Sequence, residues 1–163
     1  MMRRGQAALE FLTTYGWAFL VILVMIGALA YFGVINPNTF LPEKCMLSQE
    51  FGCKDHQITY VDPQTVNVKI FMINSLGEAI ELKTFNLTSP DSTTVTACTT
   101  IDIGDTNLPE TVGAGQSFTI TCNNVQGSFA KSTKTKLLVN GKYKLTSGKF
   151  DRIFAGEIFA PVQ

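Results

Sequence analysis

The chain has few of the residues from which enzyme active sites are built. A single histidine, His56, is present among its 163 residues, and no Gly-x-Ser-x-Gly element occurs. Hydrolases that use an activated serine or cysteine place a base beside the nucleophile, and that base is most often histidine. We therefore expect no catalytic residues, no cofactor and no enzymatic activity, and we interpret His56 as a solvated loop residue.

Signals for metal and nucleic-acid binding are also missing. No two cysteines form a Cys-x-x-Cys pair, and the spacing of Cys and His does not fit a zinc site. The oxygen-bearing residues of segment 102–107 miss the EF-hand spacing, so we predict a turn there. Thirteen basic residues balance thirteen acidic ones, which leaves no basic excess for nucleic acid. We expect neither a metal ion nor a nucleic-acid partner.

Charge is absent from a long stretch, 11–42, that directly follows Glu10. An apolar helix needs about 20 residues to cross a bilayer, and this stretch is longer. Arg3 and Arg4 precede it. Because basic residues stay on the cytoplasmic side of a membrane, we expect the amino terminus inside and the chain from residue 36 outside. A carboxylate at the border of such a span is unfavourable enough to indicate a function.

The residues by themselves leave three interpretations of this segment open. A plain signal-anchor helix explains the apolar run and its orientation, but it gives Glu10, Thr13 and Thr14 no role. A secretory signal peptide would be cut after the small-x-small sequence 28–30, yet the apolar core of such peptides is normally about 7–15 residues long. In a prepilin, a short basic leader is removed and the apolar helix is kept.

The prepilin interpretation gives Glu10 a role. Cleavage after Gly5 makes Gln6 the new amino terminus, and Glu10 is then the fifth residue of the mature chain. When helices bundle in a filament, each new α-amino group needs an acidic partner in a water-poor core. An unpaired buried charge is strongly unfavourable, whereas a satisfied pair is tolerated and can fix the register of the helices.

The sequence 6–18, Gln-Ala-Ala-Leu-Glu-Phe-Leu-Thr-Thr-Tyr-Gly-Trp-Ala, closely resembles the amino termini of archaeal type IV pilins with a class III signal peptide. That family pattern has Gln at the first mature position, a small residue at the third, Glu at the fifth and a Tyr-Gly-Trp-like element after it. The third position is often Ser in the family and is Ala here. The positions are filled by Gln6, Ala8, Glu10, Tyr15, Gly16 and Trp17.

The resemblance implies that a dedicated membrane prepilin peptidase cuts between Gly5 and Gln6. It divides the chain into a leader (1–5), a transmembrane and filament-core helix (6–35), a linker (36–42) that starts at a helix-stopping Asn-Pro pair, and a head (43–163). Identical or related pilin subunits would then leave the membrane lipid and assemble into a surface filament for adhesion. The alternatives are a minor pilin-like component of a secretion or adhesion machine, and a membrane-anchored external binding domain that never polymerises.

The head carries patterns typical of β-strands. Apolar residues at 66, 68, 70 and 72 and at 118, 120 and 122 share one side of their strands, which puts Cys122 on a buried face. Asn140-Gly141 between two strand-like runs predicts a hairpin turn, and a last strand is predicted over 152–160. About six or seven such strands favour an immunoglobulin-like sandwich. The predicted fold class is therefore α+β, with a long apolar helix followed by an all-β head.

The cysteines favour disulfides in an extracytoplasmic compartment. Four cysteines allow three pairings. Chain order suggests pairs 45–53 and 98–122, and buried free thiols are the alternative. The four residues, all in the head, are Cys45, Cys53, Cys98 and Cys122. Asn86 begins an Asn-Leu-Thr acceptor sequence, so we predict a candidate N-glycosylation site there, which agrees with an external head.

Charge is unevenly distributed along the head. Residues 43–110 contain ten acidic and four basic residues, whereas 131–152 contains seven basic residues and one acidic residue. One hypothesis is that the basic segment of one subunit meets the acidic part of a neighbour. The alternative is that these lysines decorate exposed strands and discourage pairing at a sheet edge.

Amino-terminal sequencing of the mature protein from its native cell separates the three interpretations of the apolar segment. We expect the sequence to start at Gln6, because only the prepilin interpretation removes residues 1–5. A start at Tyr31 would indicate a secreted domain, and a start at Met1 or Met2 a plain anchor. Either result would contradict the prepilin assignment.

Overall fold

The computed structural model describes residues 3–32, 41–101 and 106–163. The chain divides into two compact units, Met1–Leu41 and Pro42–Gln163. The first contains helix α1, Arg3–Tyr31. This helix starts inside the predicted leader, and its last turn is extended by a hydrogen bond from Phe32 N to Ala28 O (2.9 Å). The predicted helix stop at 36–37 and most of the predicted linker lie outside the described residues.

The second unit, which we call the head, is built from β-strands. Its chain is rich in alternating apolar and polar residues, the pattern that buries one face of a strand. The described part of the head contains these strands in chain order: β1 (Lys44–Leu47), β2 (Phe51–Asp62), β3 (Thr65–Asn74), β4 (Ile80–Thr88), β5 (Thr96–Cys98), β6 (Thr100–Ile101), β7 (Thr106–Asn107), β8 (Glu110–Val112), β9 (Ser117–Gln126), β10 (Lys134–Leu145) and β11 (Asp151–Pro161).

The strands form two sheets. The first sheet has the order β1-β11-β10-β4-β5, with β8 also paired to β4, and the second has the order β2-β3-β9-β6-β7. The ladders between these strands are antiparallel. The predicted layout of an apolar helix followed by a β-rich head is therefore confirmed.

The core of the head lies where the inner faces of the two sheets meet. The predicted inward residues of β3 and β9 are buried, and Cys122 is among them. Phe51 at the start of β2 joins the two sheets. Its ring lies 6.3 Å from Phe118 in the second sheet, and 5.6 and 4.6 Å from Tyr143 and Phe154 in the first. Edge-to-face and tilted ring pairs of this kind favour a specific packing.

Both disulfides expected from chain order are formed, and each joins one sheet to the other. Cys45 of β1 is linked to Cys53 of β2, with their Cα atoms 5.9 Å apart. Cys98 of β5 is linked to Cys122 of β9, with their Cα atoms 4.4 Å apart. In the chain-entropy account, loops of these lengths imply stabilisation of about 2.5 and 3.5 kcal/mol.

A buried asparagine, which the sequence pattern did not single out, ties the end of β3 to β8. The Nδ2 atom of Asn74 donates to the carbonyl oxygens of Glu78 (3.0 Å), Val112 (3.3 Å) and Gly113 (3.0 Å). Its Oδ1 atom accepts from Leu76 N (3.0 Å). Because every polar atom of this amide is satisfied, its complete burial is tolerated and holds the turn after β3 in place.

The predicted hairpin turn at Asn140-Gly141 is wrong, because β10 continues straight through it. Gly141 lies opposite Phe154 in the ladder between β10 and β11. A Cβ atom on Gly141 would collide with the ring of Phe154 and the carbonyl oxygen of Thr84. The glycine is therefore required for a close ring contact and not for a turn. The real turn follows Leu145, whose carbonyl oxygen accepts from Gly148 N (2.9 Å).

We predict that Gly141→Ala lowers the free energy of unfolding by about 1–3 kcal/mol, because the added methyl group overpacks the ring of Phe154. Gly77→Ala is the matched control, since a Cβ there meets nothing within 4 Å. It should change stability by no more than about 0.5 kcal/mol. Thermal unfolding of the full chain in mild detergent, followed by near-ultraviolet circular dichroism, measures both. Equal effects of the two substitutions would contradict this account of Gly141.

Candidate assembly site

Helix α1 has an exposed apolar surface. Its segment Thr13–Tyr31 is long and apolar enough to cross a membrane, and none of that segment is buried. Trp17 is 68% exposed and Phe19 is 65% exposed. An exposed apolar surface of this size marks contact with lipid or with another protein. The helix is therefore a candidate membrane anchor or signal.

Glu10 lies on α1 just before this apolar segment, next to two threonines that bond back to the helix. The Thr13 hydroxyl donates to the carbonyl oxygens of Leu9 (3.0 Å) and Glu10 (3.1 Å), and the Thr14 hydroxyl donates to that of Glu10 (2.7 Å). Such bonds satisfy hydroxyl groups inside an apolar surrounding. The carboxylate of Glu10 is exposed and forms no ion pair with any side chain that the structure describes.

The predicted cleavage site, Gly5-Gln6, lies in the first turns of α1, where the structure describes the backbone alone. Arg3 and Arg4 occupy the amino-terminal end of the helix, where positive charge opposes the macrodipole. No acidic residue lies in its first turn. Removal of 1–5 would take both arginines away and bring Glu10 closer to the positive end of the helix.

A notch interrupts the aromatic surface of α1 at Gly16. The rings of Phe11 and Tyr15 lie 4.6 Å apart, and together with Phe19 they border a hollow of about 260 Å³ over Gly16. A Cβ atom on Gly16 would meet nothing within 4 Å, so the helix itself does not require glycine here. Small residues at such positions let a second helix approach closely.

The predicted assembly residues do not all share one face of α1. Glu10 and Trp17 are seven positions apart, which puts them on the same side of the helix. Tyr15 and Gly16 line the hollow, which lies on a different side of the helix. A neighbouring helix on one side and a second neighbour on another would use the two groups of residues separately.

The candidate glycosylation residue Asn86 lies in the middle of β4. It is half-buried, and its ladder partners are Asn140 on β10 and Ala97 on β5. It also borders a hollow of about 390 Å³. Because Phe85 and Leu87 on either side of it are buried, Asn86 lies on the outer face of the first sheet.

Two interpretations of polar residues in the head need correction. His56 is not a loop residue. It lies within β2, is half-buried and stands beside the disulfide of Cys45 and Cys53. The proposed edge protection by lysines is also wrong for Lys142, because β10 lies between β11 and β4 in the first sheet.

Four of the seven basic residues of 131–152 lie on the outer face of β10: Lys134, Lys136, Lys142 and Lys144. Lys136 forms an ion pair with Glu157 on the neighbouring strand (2.5 Å). Lys131 lies over the ring of Tyr60, 5.1 Å from its centre. The ion pair with Glu157 offsets one positive charge of the basic segment, whereas the contact with Tyr60 leaves the charge of Lys131 in place. Most of the predicted turn at 102–107 lies outside the described residues, which resume at 106.

Tyr143 and Glu50 form a titratable pair at one end of the core. The Tyr143 hydroxyl donates to Oε1 of Glu50 (3.4 Å). Burial raises the pKa of Tyr143 above its ordinary value. The pKa of Glu50 is lowered, mainly because its own backbone N–H donates to the carboxylate.

Comparison with models of known protein families and with curated proteins gives no match for this chain.

We predict that Glu50 and Tyr143 shape the pH dependence of the stability of the head, Glu50 in acid and Tyr143 in alkali. The contribution of Glu50 is complete above its ordinary pKa of 4.5 and is lost as the pH falls through its lower folded value. The contribution of Tyr143 is complete below 10.0 and is lost as the pH rises through its higher folded value. As the pH is lowered, the melting temperature of Glu50→Gln should fall less steeply than that of the unaltered chain. As the pH is raised, the melting temperature of Tyr143→Phe should fall less steeply than that of the unaltered chain. Parallel curves for all three proteins would contradict the two pKa shifts.

Proposed function

We propose that the chain is the precursor of a structural subunit of an extracellular filament of the type IV pilus class, used for adhesion or surface contact. The observation that carries this proposal is that α1 exposes its apolar side chains while the head closes a core of its own. A head that folds without the helix leaves the whole helix surface available for lipid first and for other helices afterwards.

The proposed sequence of events begins with insertion of the precursor, amino terminus in the cytoplasm and head outside. The prepilin peptidase then removes 1–5 by cleavage between Gly5 and Gln6. The mature helices leave the membrane and pack laterally, and the heads stand on the cell surface. Apolar area kept from water at roughly 25 cal/mol per Å² holds the packed helices together.

Register within the bundle is supplied by Glu10. Apolar contact is nondirectional, so the exposed apolar surface of α1 alone would accept neighbours at many axial offsets. The α-amino group created on Gln6 needs an anionic partner in a water-poor bundle, and the carboxylate of Glu10 is unpaired within the described residues. Pairing between subunits therefore selects one offset.

We infer that the head is a variant of the immunoglobulin-like class. The support is its strand order: β2-β3-β9-β6 corresponds to strands A-B-E-D of that fold, and β5-β4-β10-β11 corresponds to C′-C-F-G. Two features depart from antibody domains. The disulfide joins β5 to β9, which correspond to C′ and E and not to B and F, and β4 carries no tryptophan.

A membrane-anchored binding domain that stays monomeric is the second candidate, because the length and apolar character of α1 suffice for an anchor. That function gives no reason for Glu10 or for the notch at Gly16. A minor pilin-like component of a secretion or adhesion machine would share the processing and differ in copy number.

We predict that Glu10→Gln blocks or strongly slows filament assembly, because the new amino terminus of a neighbour then lacks an anionic partner. Glu10→Asp, which keeps the charge on a shorter side chain, should retain more assembly than Glu10→Gln. Filament yield is measured by shearing filaments from cells that express each variant and quantifying the subunit in the sheared fraction.

Membrane fractionation of the same cells provides the control, since both variants should still insert and lose their leader. Filament yield equal to that of the unaltered chain in Glu10→Gln would refute the pairing role. A chain that is never found in filaments, with or without the substitution, would refute the proposed function itself.

A further inference from the structure

The two disulfides of the head differ in their surroundings. Cys98 and Cys122 are almost completely buried in the core. Cys45 and Cys53 are half-buried, and they lie at the margin of the head where β1 meets β2. A reductant in solution therefore reaches the disulfide of Cys45 and Cys53 more easily than that of Cys98 and Cys122.

The single histidine of the chain accompanies the accessible disulfide. The Sγ atoms of Cys45 and Cys53 and a ring nitrogen of His56 all lie within 4.8 Å of one another. These residues come from two strands in different sheets, so it is the fold that brings them together. The other disulfide has no histidine beside it, because His56 is the only one in the sequence.

The ring of His56 has an unused nitrogen. His56 is paired in the ladder with Ile70, a fully buried residue, whereas its neighbours Asp55 and Gln57 are exposed. Its Nε2 atom is buried and has no hydrogen-bond partner among the residues that the structure describes. Leaving a buried polar atom unpaired is unfavourable, and such atoms call for an explanation by a ligand or a function.

We propose that Cys45, Cys53 and His56 form a redox-gated binding site for a thiophilic metal ion of the Zn²⁺ class, which is closed while the disulfide is intact and opens when it is reduced. Thiolate and imidazole are the ligands that zinc prefers, and three protein ligands leave a fourth position for water. The absence of carboxylate ligands among the three argues against Ca²⁺ and Mg²⁺.

The chemistry balances with a thiol as reductant. Two thiol molecules are oxidised to their own disulfide, and the two electrons and two protons that they give up convert the bond between Cys45 and Cys53 into two thiols. The metal ion then forms bonds to both Sγ atoms and to the neutral imidazole of His56. The two thiol protons pass to the solvent as the thiolates form.

The distances are compatible with such a site after a small adjustment. Zinc–sulfur bonds of about 2.3 Å and zinc–nitrogen bonds of about 2.0–2.1 Å put tetrahedral ligand atoms about 3.5–3.8 Å apart. On reduction the two Sγ atoms, which are bonded to each other in the disulfide, must move apart to about 3.8 Å, and the ring nitrogen of His56, at most 4.8 Å from them, must approach by no more than about 1 Å. Cleavage of the sulfur–sulfur bond leaves both cysteine side chains free to rotate, and this rotation moves their Sγ atoms to the required positions.

The test uses the full chain in detergent under anaerobic conditions, reduced by a water-soluble phosphine, which is itself oxidised to the phosphine oxide. Mass spectrometry should show the gain of two hydrogen atoms, on Cys45 and Cys53, while Cys98 and Cys122 stay linked. Co²⁺ is then added as a spectroscopic probe and displaced by Zn²⁺. We expect one ion per reduced chain, with a thiolate-to-cobalt charge-transfer band, and no binding by the oxidised chain.

Variants identify the ligands. Cys45→Ser combined with Cys53→Ser should abolish binding. His56→Ala should weaken it at least about tenfold, since loss of even an outer-shell partner weakens metal binding by about that factor. Unchanged affinity in His56→Ala, equal binding by the oxidised chain, or no binding by the reduced chain would each overturn the proposal. Circular dichroism of the reduced chain is recorded alongside, and loss of the head's fold on reduction of this disulfide would overturn it as well.

Discussion

The apolar side chains of α1 are exposed along Thr13–Tyr31, and most other properties that we propose for the molecule follow from that exposure. An isolated helix with such a surface is not stable as a single molecule in water, because burial of apolar area is the main favourable term in folding. Lipid or neighbouring helices must therefore cover it. The processing, orientation and assembly that we propose are successive ways of keeping the same surface away from water.

In contrast to the exposed apolar surface of α1, the head buries its apolar residues in a core of its own. Its two sheets pack around an aromatic cluster centred on Phe51, and two disulfides join one sheet to the other. Asn74 satisfies its amide completely inside the core. Because these links run between the sheets, the head does not rely on contacts from outside for its cohesion.

The sequence was most informative where a pattern repeats and least informative where one residue has more than one use. Alternation in β3 and β9 predicted the buried faces, because burial acts on every second residue of a strand. Gly141 and His56 were misread for a different reason. A glycine after asparagine serves a turn or a close ring contact equally well, and only Phe154 on another strand decides between them. His56 lies in a strand because β2 pairs with β3, and it lies beside the disulfide because β1 comes close to β2, and no local pattern reports either contact.

Two of the polar groups that lack a partner within the described residues lie where the proposed functions need one; the hydroxyl oxygens of Ser48 and Ser89 and Oε2 of Glu50 are also buried without a partner. The carboxylate of Glu10 lies on the apolar helix, and Nε2 of His56 lies buried at the margin of the head. Apolar contact alone distinguishes poorly between neighbours or between axial offsets, since it is nondirectional. A single charge or a single ring nitrogen in an apolar surrounding is highly selective, because leaving it unpaired is so unfavourable. For that reason the specificity of this protein is expected at the few polar atoms that its own fold leaves unsatisfied.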